Sequence, residues 1–99
     1  MAASTHEYEM IFILSPDLPE DGVTSGIERV HQAITSRGGE VVDVNNWGRR
    51  RLAYPIKRHM EGTYVLTNMK MDPTEVEGLD SNLRISEEVI RHLIVRTDE

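Results

Sequence analysis

Five of the chain's eleven basic residues, Arg49, Arg50, Arg51, Lys57 and Arg58, fall between Val44 and Met60, a stretch that holds no carboxylate. Trp47 and Tyr54 are interleaved with them. Guanidinium groups grip phosphate through paired hydrogen bonds, and aromatic rings stack on unpaired bases, so this combination suits RNA held by charge and stacking. It equally suits a solvated edge strand, where cations discourage sheet-to-sheet aggregation. The remainder of the chain is acidic, and the net charge is −6. A positive stripe on an acidic body can engage phosphate at the stripe and a basic protein elsewhere. Arg84, Arg91 and Arg96 read either as solvated charges near a strand or as a second patch meeting RNA or that partner. Glu75, Glu77, Glu87 and Glu88 are either ordinary exposed acids or the surface a basic partner would meet.

Other chemistries find no support. Cysteine is absent, which removes disulfide frameworks, thiolate metal sites and cysteine nucleophiles. His6, His31, His59 and His92 are far apart and give no helix-spaced ligand pair. No Gly-rich phosphate loop opens a helix, and no nucleophile elbow is present. Ser15-Pro16-Asp17-Leu18, after the first expected strand, is acidic and lacks the arginine that acylphosphatases place in an anion-binding loop there. No enzymatic activity, cofactor, metal or small-molecule substrate is therefore expected. Met10, Met60, Met69 and Met71 read as core or adaptable contact surface. No run approaches the roughly 18 apolar residues of a membrane span. Met1 to His6 has neither the basic nor the apolar region of a secretory signal, so a cytoplasmic protein is expected.

The elements that must position the basic segment follow from periodicity. Ninety-nine residues suit one domain and one hydrophobic core. Tyr8 to Leu14 reads as a strand, broken by Ser15-Pro16-Asp17. Pro19, Glu20 and Asp21 suit a first helical turn, and Val23, Ile27, Val30 and Ile34 fall on one helical face that Gly38-Gly39 ends. Glu40 to about Tyr54 is extended. Without a bulge, Val42, Val44, Leu52 and Tyr54 share one face and Trp47, Arg49, Arg51 and Ala53 the other. Pro55 to Glu61 reads as a loop. Gly62 to Met71 reads as a third strand, with Val65, Met69 and Met71 opposite Tyr64 and Leu66. Asp72-Pro73-Thr74-Glu75 is a helix start, and Val76, Leu79 and Leu83 form that helix's apolar stripe. Val89 to Arg96 is a fourth strand, with Val89, Leu93 and Val95 alternating against Ile90 and Ile94.

The order is βαββαβ. With one right-handed crossover in each half it predicts an α+β, ferredoxin-like sandwich: a four-stranded antiparallel sheet with both helices on one face and the other face open. Fold alone does not name a function.

Gly48-Arg49-Arg50-Arg51-Leu52-Ala53-Tyr54-Pro55-Ile56-Lys57 resembles the signature of the bacterial small-subunit ribosomal protein six family, a glycine followed by basic or polar residues and then Leu-Ala-Tyr-Pro-Ile. The resemblance extends to Tyr8-Glu9, Gly38-Gly39-Glu40-Val41, Glu61-Gly62, and Asn82-Leu83-Arg84-Ile85 leading into Val89-Ile90-Arg91. It covers nearly all of Tyr8 to Arg96. It implies the ferredoxin-like fold, pairing with small-subunit ribosomal protein eighteen, and binding of that pair to the central domain of small-subunit (16S) rRNA. By position, Gly48, Arg50, Arg51, Leu52, Ala53, Tyr54 and Ile56 carry over. Arg50 and Arg51 are then phosphate contacts, Leu52 and Ile56 strand packing, and Tyr54 is divided between packing and stacking. Trp47 and Arg49 stand where the family varies, and local chemistry alone suggests RNA for them.

The expected organisation is a flexible extension over residues 1–7, one RNA-binding domain over 8–96, and a short acidic tail over 97–99. The competing function is a ferredoxin-like regulatory module that binds a small metabolite as a homodimer.

Overall fold

Alternation puts Tyr8, Met10, Phe12 and Leu14 on one side of the first strand, and that is the side buried in the computed structural model, which describes residues 5–98. The elements run β1 (His6–Leu14), α1 (Glu20–Thr35), β2 (Glu40–Ile56), β3 (His59–Met71), α2 (Pro73–Arg84) and β4 (Val89–Arg96). The four strands form an antiparallel sheet in the order β2-β3-β1-β4. Val30 and Ile34 of α1 and Leu79 and Leu83 of α2 pack on the same sheet face as Met10, Phe12, Val65, Met69 and Met71. Both helices therefore cover one face, as the βαββαβ order predicts.

The helix ends follow their local chemistry. Asp72 caps α2, accepting from the Thr74 backbone N–H at 2.9 Å, and Pro73 occupies a first-turn position. The Glu75 carboxylate accepts from Arg37 rather than closing a capping box. Pro19 stands just before α1, at its N-cap, instead of inside the first turn. At the other end Gly38 takes φ 79°, and the Gly39 N–H donates to the Ile34 carbonyl at 3.0 Å, which stops the helix.

The sheet is longer at its termini than expected. His6 and Glu7 pair with Met71 and Lys70, so they belong to β1 and not to a flexible extension. Of the rest of that expected extension, Thr5 is exposed and outside the strand, and residues 1–4 lie outside the described residues. Thr97 and Asp98 also fold back. The Thr97 N–H donates to the Glu7 carbonyl at 2.9 Å, and Asp98 accepts from the Glu7 N–H at 3.0 Å and from Arg96 at 2.7 Å. Arg96, then the Glu7 N–H, then His6 hold the Asp98 carboxyl down at about 2.

Behind the sheet, His31 of α1 shares a 3.2 Å hydrogen bond with the buried Thr67 hydroxyl of β3. Burial opposes the imidazolium and lowers the His31 pKa from 6.5. On acidification the unfolded chain takes up this proton first. The neutral His31 thus stabilises the fold above about pH 6.5, and this contribution is lost as pH falls through the lower folded-state value. Urea unfolding between pH 7.5 and 5 should show stability declining with acidity, and His31→Gln should flatten that decline. An equal slope in both proteins would remove His31 as its source.

Strict alternation fails in two strands, each time at a bulge. In β4 the register shifts as Leu14 pairs with Val89 and Ile13 with Arg91. Ile90 is the extra residue and turns to the open face beside Ile13 and Leu52, while Val89 stays in the main core. Ile94 therefore packs toward the helices, and Leu93 and Val95 are exposed at 59 and 46 %. This reverses the expected grouping of Val89 with Leu93 and Val95, because one inserted residue switches the parity of everything beyond it. In β2 the register shifts three times, between Val41 and Asp43, Asn46 and Gly48, and Arg51 and Ile56. Val44 thus lies opposite Thr67 on the helix side, whereas Leu52 packs on the open face with Ile13 and Ile90. These two residues do not share a face.

Candidate nucleic-acid interface

The site is a hairpin arm. Leu14, at the end of β1, pairs with Thr63, so His59 to Gly62 of β3 and their partners on β2 run on past the central strand. Those partners are Arg50, opposite Gly62, and Arg51, opposite Glu61. Beyond Arg51, β2 uses three more residues than β3 before Ile56 meets His59. Leu52-Ala53-Tyr54-Pro55 is this bulge. Proline is tolerated there because the bulge needs no ladder donor. The expected loop from Pro55 to Glu61 is accordingly a continuous hairpin, closed by Lys57-Arg58 alone.

That turn has a physical cost. Lys57 has φ 49° and Arg58 φ 72°, both left-handed, where a two-residue hairpin turn is best served by Asn-Gly. A side chain with a Cβ loses roughly 1 kcal/mol in such a position. Two cations thus occupy positions that favour other residues. The double substitution Lys57→Asn, Arg58→Gly should raise unfolding free energy by about 1–2 kcal/mol in urea titrations. It should also weaken RNA binding. Unchanged stability would show that the turn carries no strain.

The basic residues divide by their partners. Arg49 donates to Glu61 at 2.9 Å and to the Pro16 carbonyl at 3.3 Å, tying the arm's base to the loop before α1. Arg84 pairs with Asp80 at 3.0 Å and Arg96 with Asp98 at 2.7 Å. Arg29 pairs with Glu88, and Arg37 with Glu75, so two of the acids considered for a basic partner are already engaged. Among the described residues, no ion pair engages Arg50, Arg51, Lys57 or Arg58, and all four are exposed. The Arg50 guanidinium lies 5.5 Å from the centre of the Trp47 ring. Trp47, at the second bulge, is 39 % exposed. Arg50 also donates through Nε to the Trp47 carbonyl at 3.5 Å, so the structure brings together, on one arm, exposed cations without ion pairs among the described residues and an indole held beside one of them.

Tyr54 is not packed in the core. It is 55 % exposed, its hydroxyl accepts a hydrogen bond from Arg91 of β4, and the Arg91 guanidinium sits 5.8 Å from its ring centre. Beneath it, on the open face, lies an apolar hollow of about 250 Å³ whose lining includes Ile11, Ile13, Leu52, Tyr64 and Leu93. Composition could not reveal the Arg91–Tyr54 contact, because it exists only once the bulge has turned the arm across the sheet. Pro55 inside an otherwise extended pattern was its one local signal.

A family model described as Ribosomal protein S6 matches residues 7–96. A protein called small ribosomal subunit protein bS6 from Clostridium acetobutylicum is 44% identical over 95% of this chain and 99% of its own length. Another of that name, from Caldanaerobacter subterraneus, is 45% identical over 93% of this chain and 97% of its own. The crystal structure of 30S ribosomal protein S6 from Thermotoga maritima superposes with a TM-score of 0.88 at 32% identity, covering 95% of this chain and 89% of that one.

Proposed function

The chain belongs to the Ribosomal protein S6 family, and from that premise we propose that it binds the central domain of small-subunit rRNA together with small-subunit ribosomal protein eighteen. It is a structural constituent of the small ribosomal subunit and not an enzyme, and its place is on the ribosome in the cytoplasm. The observation that carries the RNA reading is the gathering of Arg50, Arg51, Lys57 and Arg58, without carboxylate partners among the described residues, on a single projecting hairpin. Phosphate contacts fall to those four residues. Trp47 offers a stacking surface beside Arg50. Arg49 is a weaker candidate, since it would have to leave Glu61 and Pro16.

The open sheet face supports the partner. Its apolar hollow is lined in part by the exposed Leu93, and Val95, two residues further along β4, is exposed too. Along the same face, Glu9 and Asp43 pair with opposite sides of Asn68 in β3. Apolar surface beside carboxylates suits a basic protein with an apolar anchor. The free protein should bind RNA weakly, because a few cations on an acidic body give a small electrostatic footprint.

A gel-shift titration of a central-domain rRNA fragment, with and without ribosomal protein eighteen, tests this. The expected result is tight, salt-sensitive binding only when both proteins are present. No shift in either mixture, with the protein well folded, would remove the reading and leave the metabolite-binding module to be tested.

A further inference from the structure

We infer that Tyr54 and Arg91 form a strap that fixes the direction of the basic arm, and that both serve RNA binding as positioning residues rather than as contacts to RNA. The inference rests on the RNA-binding reading above. The sheet order places β2 and β4 at opposite edges, with β3 and β1 between them. At roughly 4.8 Å per strand, side chains on those edges stand about 14 Å apart across a flat sheet. Tyr54 of β2 nevertheless meets Arg91 of β4. The arm must therefore lean over the open face, and the Leu52–Pro55 bulge supplies the chain for it.

On the open face the arm is held at two places. Leu52, 5 % exposed, packs with Ile13 and Ile90 near the arm's base. Ile56 packs against the same cluster, and Arg49 ties the arm's base to the Pro16 carbonyl, but all of this lies on the arm's own side of the sheet and leaves a two-stranded ribbon, marginally stable beyond its sheet, room to rock. The second attachment lies across the sheet, where the Arg91 guanidinium, 5.8 Å from the Tyr54 ring centre, donates to the Tyr54 hydroxyl. Neither side chain is buried, so apolar burial does not account for the pairing. With both points fixed, Arg50, Arg51, Lys57 and Arg58 are presented in one arrangement. RNA then does not have to offset the loss of the arm's freedom. Arg91 is an exposed cation whose guanidinium donates to the Tyr54 hydroxyl, and the salt dependence below separates positioning from phosphate contact.

The chain has no cysteine, so spin labels at Met60→Cys, near the hairpin tip, and Ser81→Cys, on α2, report the arm's position in the free protein. Pulsed dipolar spectroscopy should give a narrow distance distribution in the parent and a clearly broader one in Tyr54→Ala and in Arg91→Lys, which keeps the charge but not the planar fork. Melting temperatures show that each variant is folded. In the two-protein rRNA titration each variant should bind about tenfold more weakly with the parent's salt dependence, because no phosphate contact is lost. The double variant should bind no more weakly than the weaker single one. Tyr54→Phe, which keeps the ring but not the hydroxyl, should fall between parent and Tyr54→Ala. An unchanged distance distribution overturns the strap, as does Arg91→Lys binding like the parent, or effects that add in full. A parent that binds no RNA with either protein mixture overturns the underlying reading instead, and the distance measurement separates that failure from failure of the strap.

Discussion

Alanine at both Arg50 and Arg51 will weaken binding of central-domain rRNA by the two-protein complex about a hundredfold, taking roughly 1.4 kcal/mol for each charge-assisted contact. The same substitution will flatten the salt dependence by about 0.9 log unit of slope for each phosphate contact removed from a duplex. Position and the lack of ion pairs among the described residues set this expectation. Arg50 and Arg51 stand opposite Gly62 and Glu61 on the part of the hairpin that outruns β1. Neither is engaged by an ion pair among the described residues, so truncation leaves no carboxylate stranded. Both are exposed, and surface substitutions of this kind change stability by about 0.5 kcal/mol or less. A loss of affinity therefore reads as a loss of contact, and titration at several salt concentrations measures it. Affinity that drops with the slope unchanged would mean that the two arginines act on the arm's shape and not on phosphate.

The largest effect on stability is expected from Phe12→Ala, at about 3–5 kcal/mol. Phe12 of β1 is fully buried between Val65 of β3 and His92 of β4, on the face that α1 and α2 cover. Truncation removes the ring's transfer free energy and leaves a void that β1, held by ladders on both sides, is poorly placed to close. Against a typical total of about 5–15 kcal/mol, the variant should be close to half unfolded in modest urea. Equilibrium urea unfolding should show the midpoint falling sharply with little change in slope. A loss under 1 kcal/mol would mean that the core repacks around the gap. The folded fraction should keep the parent's salt dependence for RNA, because the arm's cations lie outside that core.

The core and the helix starts were legible because their determinants are local. Tyr8, Met10, Phe12 and Leu14 alternate on a strand without a break before its last residue, and Val30 and Ile34 recur at helical spacing. Asp72-Pro73-Thr74 caps a helix through bonds between near neighbours. What failed was face assignment past a bulge. The extra residue at Ile90 and the register shifts of β2 reverse parity without altering the apolar pattern that a reader follows. The candidate RNA segment was visible as acid-free basic sequence. Its division into a paired Arg49 and four cations without ion pairs among the described residues was not, because Glu61 and Pro16 reach Arg49 only across the fold. Lys57-Arg58 hid the hairpin turn for a related reason. These residues are poor formers of the left-handed turn they make, so composition pointed to a loop.

Directed hydroxyl-radical probing tests the central claim most directly. An iron chelate attached at Met60→Cys, beside the hairpin tip and outside the proposed contacts, is assembled with ribosomal protein eighteen and central-domain rRNA. A second sample carries the chelate at Gln32→Cys, on the exposed side of α1. The account predicts a focused set of rRNA cuts from the tip probe and few or none from α1. Cuts from α1 with none from the tip would contradict it and move the RNA to the helical face.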